Sequence, residues 1–238
     1  FILLSLSILL CLYQGGGTSE DISLPFITFP WMLYLKRIKS KSKITNLETI
    51  AIGLCFGILS FIRISNAAPF CGLFIFIFID WFIQKQYKTI LVFICFLILG
   101  ILIAITPCLI YFHAKAGMEG VNQMLYGTFF FNMEYIQSTK SGLFSIRALN
   151  FICIVSLFVI LLLKYNHDKS KVMIPTLLGY FFSFAAIGTR YHLHYMMIFL
   201  PLFIISLSQI PLKKSRFNLV IATIFSFFFL INAAEPLA

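Results

Sequence analysis

The sequence predicts an all-α fold, a polytopic bundle of transmembrane helices with about eight full spans behind one truncated N-terminal span. Three observations predict it. The chain is 61% hydrophobic and only 11% charged, with a mean hydropathy of +0.99, far above the apolar share of a soluble domain. Its apolar runs recur at lengths suited to a hydrocarbon core of roughly 30 Å and are separated by short polar breaks. Its basic residues gather in alternate breaks, the bias that marks cytoplasmic loops.

The segment FILLSLSILLCLY opens the chain and, at 13 residues, is too short to cross. It has no basic stretch before it and no small-residue cleavage site after it, so a signal peptide fits poorly. We read it as the end of a helix that begins before Phe1, and the chain as the C-terminal part of a longer protein. Full spans are expected at 22–35, 47–63, 67–83, 89–112, 146–163, 172–189, 195–211 and 217–232. Pro25 and Pro30 interrupt the first of these, which a bundle tolerates when neighbouring helices satisfy the freed backbone groups. Residues 1–238 thus read as one transmembrane domain with a long loop at about 113–145.

The breaks KRIKSKSK (36–43), QKQYK (84–88), KYNHDKSK (164–171) and KKSR (213–216) hold thirteen of the eighteen Lys and Arg residues. All four fall on one side if the spans alternate, and that side is cytoplasmic. The net charge of +10 is therefore a topology signal and not a nucleic-acid footprint, which requires a basic folded surface. The six cysteines sit in apolar runs without metal-ligand spacing and read as free thiols. The 29 Phe are spread through the spans as core and lipid-facing residues. No phosphate-cradling glycine loop with Lys, H-E-x-x-H, G-x-S-x-G or dinucleotide fingerprint is present.

The opposite, outer ends carry the unusual polar groups. In GGGTSED, Glu20 and Asp21 open a span where the helix dipole favours acids and Thr18 or Ser19 can cap. The same glycines and carboxylates suit a site that binds a metal, sugar hydroxyls or a base, and both readings stand. Arg63, with Asn66 three residues on, sits at an outer helix end. It either snorkels to the headgroups or, with Arg190, holds an anionic group such as a phosphate. In loop 113–145, Val121, Met124, Leu125 and Phe129 fall near helical spacing among Tyr126, Phe130, Phe131 and Tyr135. That pattern fits an interfacial helix or an aromatic belt. The stretch TRYHLHY places Arg190, Tyr191, His192, His194 and Tyr195 before a span. Residues two apart diverge on a helix, which disfavours a metal site there and leaves interfacial packing or contact with a phosphate or sugar.

Taken in order, GGGTSEDISLP, GILSFIRISNAAP, a long outer loop and GTRYHLHYMMIFLP resemble the C-terminal half of polytopic bacterial membrane glycosyltransferases of the GT-C class, relatives of the aminoarabinose transferase and protein mannosyltransferase group. The resemblance implies a polyprenyl-phosphate sugar donor, a membrane-lipid environment, a glycan, lipid or protein acceptor, and work on the outer face of the bacterial cytoplasmic membrane. It implies that Glu20, Asp21, Arg63, Asn66, Arg190, Tyr191, His192, His194 and Tyr195 line the donor site. It also implies that the catalytic base lies in an N-terminal outer loop that this chain does not contain, which leaves the activity of the fragment alone open. Divalent metal dependence is left open. The competing reading is a transporter or flippase of lipid-linked sugars, which calls for polar groups at mid-membrane and internal repeats. The spans are instead apolar at their centres.

Overall fold

The computed structural model describes residues 19–130, 146–165, 170–187 and 193–209, and among these the chain is helical with no strand. The helices are α1 (Ser19–Ser40), α2 (Asn46–Arg63), α3 (Ala68–Ile83), α4 (Tyr87–Leu125), α5 (Ile146–Tyr165), α6 (Ser170–Ile187) and α7 (Leu200–Ser208). Short 3₁₀ turns at Ile64–Ala67 and Leu193–Phe199 join α2 to α3 and lead into α7. Three helical stretches are long and apolar enough to cross a membrane: Asn46–Ile83, Tyr87–Thr128 and Ser170–Ile187. Phe151–Tyr165 and Tyr195–Ser208 are apolar but shorter, so eight full spans are not reached among the described residues. The expected spans at 1–13 and 217–232 lie outside them.

Local chemistry explains the boundaries. Helix α2 starts at a reciprocal cap: the Thr45 hydroxyl accepts from the Glu48 amide, while the Glu48 carboxylate accepts from the Thr45 amide. It ends at Arg63, whose φ of −171° and ψ of 115° are extended. The chain reverses there, because the Phe56 ring lies 6.3 Å from Phe70 and 6.1 Å from Phe74. In one continuous helix Phe56 and Phe74 would stand about 27 Å apart. Helix α1 runs antiparallel to α2, since Glu20 meets Arg63 at one end and Arg37 meets Glu48 at the other.

Helices α2 and α4 run parallel and pack closely through small residues. A Cβ at Gly53 would collide with the Leu97 carbonyl, one at Gly100 with the Ile50 carbonyl, and one at Gly57 would lie 2.7 Å from the Ala104 methyl. Without a hydrophobic force between helices in lipid, such seams supply association through van der Waals contact. A similar approach of Gly72 to the Gly179 backbone joins α3 to α6. The aromatic core lies between α5, α6 and α7, where Phe158 stacks on Phe203 at 4.1 Å and Phe151 meets Phe199 at 5.5 Å. Inside it the hydroxyls of Tyr180 and Ser206 hydrogen-bond at 2.9 Å.

The expected break at residue 113 is instead helix. Helix α4 continues past it and kinks at Ala116 and Gly117, where Gly117 takes a φ of +62° that suits glycine. In the helix beyond the kink Met124 is buried while Leu125 and Tyr126 are exposed, and a π-helical turn follows at Tyr126–Phe130. The rest of the expected loop, 131–145, lies outside the described residues. Five cysteines, Cys55, Cys71, Cys95, Cys108 and Cys153, are free thiols, and Cys11 lies outside the described residues.

Candidate functional site

Two groups of polar residues occupy opposite ends of the bundle. At one end Arg37, Lys41, Gln84, Gln86 and Lys171 surround a shared cavity, so three of the four basic breaks approach one another. The fourth, 213–216, lies outside the described residues. At the other end the first turn of α1, the α2–α3 turn and the turn before α7 converge.

Arg63 organises this second end. Its Nη1 pairs with Glu20 Oε1 at 2.6 Å, and its Nη2 donates to the Tyr195 hydroxyl at 2.9 Å. The guanidinium carbon also lies 4.8 Å from the centroid of the Tyr195 ring, within the range of a cation–π contact. Glu20 is 2% exposed and the Arg63 side chain 16%, so the pair is largely removed from water. Its desolvation cost is offset by further bonding, since the Ser19 hydroxyl donates to Glu20 Oε2 at 2.9 Å. The reversal at Arg63 is what aims the guanidinium at α1: the extended backbone ends the helix and the 3₁₀ turn returns the chain into α3.

Asn66 follows within that turn and is fully buried. Its Nδ2 donates to Ser23 Oγ at 2.8 Å and to the Ser19 carbonyl at 3.3 Å, while the Ser23 hydroxyl itself donates to Ser19 O at 2.5 Å. Asn66 therefore fastens the first turn of α1 to the α2–α3 turn. Its Oδ1 is buried and has no hydrogen-bond partner among the described residues.

The structure thus brings together Glu20, Arg63, Asn66 and Tyr195 out of the residues expected from sequence. The acid and the guanidinium, expected to serve sugar and phosphate separately, are bonded to each other. Asp21 lies in the first turn of α1 and His194 in the turn Leu193–Phe199, and only their backbones are described. Arg190, Tyr191 and His192 lie outside the described residues. Sequence reasoning missed Ser19 and Ser23 as partners. The signal was available: two serines four apart share one helix face at the start of an apolar run, where a buried hydroxyl needs a partner.

Among the described residues no group of three or more His, Cys, Asp and Glu side chains gathers to hold a metal ion. Glu20 is the carboxylate of this cluster, and both its oxygens are engaged by protein donors. What the arrangement can do is present a fixed guanidinium, charge-balanced by a carboxylate and flanked by a phenol, to a group at the membrane interface. Compared with known proteins, the chain matches no family model, no curated protein and no solved structure.

Proposed function

We propose that the chain belongs to a membrane glycosyltransferase that moves a sugar from a polyprenyl-phosphate donor to an acceptor hydroxyl or amine. On this reading it is multi-pass in the bacterial cytoplasmic membrane, with about eight spans, the basic end in the cytoplasm and the Arg63 cluster outside. One observation carries it: three sequence patches separated by 43 and 132 positions meet in one buried hydrogen-bonded cluster at the end away from the basic breaks. An ionisable pair among apolar helices is expensive, and such groups mark substrate sites.

In the reaction, the acceptor oxygen or nitrogen bonds to the anomeric carbon as the bond from that carbon to the phosphate oxygen breaks. The acceptor proton passes to a base, and polyprenyl phosphate leaves. Arg63 stabilises the charge that develops on the departing phosphate, because a guanidinium matches phosphate geometry and two of its five N–H donors already fix its direction. Glu20 and Tyr195 keep that fork in place, and Asn66 holds the first turn of α1 against it. None of these four residues serves as the base.

The test is transfer of labelled sugar from a panel of polyprenyl-phosphate donors in membranes, at matched expression. Arg63→Ala is expected to fall to background. Tyr195→Phe, which removes one hydrogen bond and keeps the ring, is expected to lose about tenfold. If the full-length protein that carries this chain transfers nothing from any donor while correctly inserted, the enzyme reading fails and transport of lipid-linked sugars takes its place.

A further inference from the structure

The basic end of the bundle carries an open cavity of about 580 Å³ between the C-terminal ends of α1 and α3 and the start of α6. Among the described residues its wall carries Arg37, Lys41, Lys43 and Lys171 against one carboxylate, Asp80. Arg37 is neutralised by Glu48, and no ion pair joins the three lysines to a described residue. Among the described residues the cavity therefore holds a local excess of positive charge, and Phe76 and Ile77 add apolar lining.

The three lysine side chains are exposed, and the backbone that carries them is fixed by hydrogen bonds. Arg37 holds Glu48 through Nε and Nη2 and donates from Nη1 to the Ser42 hydroxyl at 2.9 Å, which ties down the loop between the two lysines. Lys41, the residue after α1, has a φ of +51°, a left-handed conformation that glycine would adopt without strain. On the opposite side the Tyr34 hydroxyl donates to the Lys171 carbonyl at 2.7 Å, and Trp81 packs edge-on against Phe93 at 5.2 Å. Beside Asp80 and Trp81, helix α3 leaves Ile79, Phe82 and Ile83 exposed, from 52% to 73%. A phosphate oxyanion suits the lysines, and a hydrocarbon chain suits the exposed flank next to it.

We propose that this cavity binds the phosphate headgroup of an anionic membrane lipid, with the acyl chains lying against the exposed flank of α3. The shared chemistry is a phosphate diester or monoester held by Lys41, Lys43 and Lys171. A lipid is the source that the exposed apolar flank selects; a soluble phosphate would leave that flank unused. The site is independent of the Arg63 cluster and of the reaction proposed for it.

The experiment places the full chain in nanodiscs of mixed phosphatidylglycerol and phosphatidylcholine and counts retained lipids by native mass spectrometry. Lys41→Gln and Lys171→Gln are each expected to lower the preference for phosphatidylglycerol about fivefold. Asp80→Asn is expected to raise it about threefold. Lys39→Gln and Lys88→Gln remove the same charge from the same end without lining the cavity, and are expected to change it less than about twofold. Equal losses in these controls would overturn the site in favour of diffuse surface charge, and so would a parent that shows no preference. A second arm titrates sn-glycerol 3-phosphate into pure phosphatidylcholine discs. Lysine-dependent binding of that soluble ester, without any preference for phosphatidylglycerol in the mixed discs, would overturn the lipid assignment.

Discussion

At Arg63, one side chain bonds to two residues that are far away in sequence, and the energetics of that arrangement are uneven. Removing one partner of a buried ion pair leaves the other charge uncompensated, at a cost of about 3–5 kcal/mol, whereas replacing both with apolar groups of similar volume is close to neutral. Glu20→Gln is therefore expected to destabilise the protein by about 3 kcal/mol. The double variant Glu20→Gln with Arg63→Met is expected to recover more than half of that loss. Unfolding monitored in detergent micelles checks both, and a double variant no better than the single one would contradict the pair's description as charge-compensated. The identities of Glu20, Arg63, Asn66 and Tyr195 were legible in the sequence because each is a polar group at the end of an apolar run. Their mutual bonding was not, since hydropathy records depth in the membrane and carries no information about which helix ends are neighbours.

Among the elements, α2 and α4 depend on a seam without side chains, and the effect of filling it is directional. Overpacking a close contact costs about 1–3 kcal/mol, and at Gly53 and Gly100 the opposing atoms are backbone carbonyls that cannot rotate away. Gly53→Ala is expected to cost about 2 kcal/mol by that mechanism. Gly127→Ala, where no atom of the described residues lies within 4 Å of the added methyl, is expected to stay within about 0.5 kcal/mol. Thermal unfolding of the two variants side by side checks this, and equal losses would contradict the described α2–α4 contact. Helix existence was readable from the apolar runs, but two boundaries were not. The polar residues His113 and Lys115 looked like the start of a loop, yet helical hydrogen bonds do not depend on side-chain polarity, so α4 continues until Gly117 changes the backbone direction. Helix α1 likewise begins at Ser19 and extends to Ser40, beyond the expected 22–35, because its final basic turn suits a helix C-terminus as well as a loop.

For the molecule as a whole, the alternation of charge becomes a statement about sidedness. The breaks at 36–43 and 84–88 share one end with Lys171, and the Arg63 turn lies at the other. In a background without native cysteines, Ser42→Cys and Lys85→Cys are expected to react with a membrane-impermeant maleimide only after the cytoplasmic side is opened. Ile64→Cys, exposed in the Arg63 turn, is expected to react in intact cells. Labelling of all three from one side would refute the alternation. That two-ended arrangement was read from the spacing of Lys and Arg, because the positive-inside rule acts on loops and loops are visible as breaks. The cavity at the basic end was not legible, since its wall is assembled from residues of three separate segments.

The Glu20–Arg63 pair also constrains how the protein is made. A lone guanidinium entering the lipid phase from the translocon would meet a steep barrier, but α1 has already emerged from the ribosome when α2 follows. The two helices can therefore leave the translocon as a hairpin whose opposite charges neutralise each other at its open end, away from the connecting loop. Tyr195 arrives much later, so the hydrogen bond it accepts from Arg63 joins early- and late-synthesised parts of the chain.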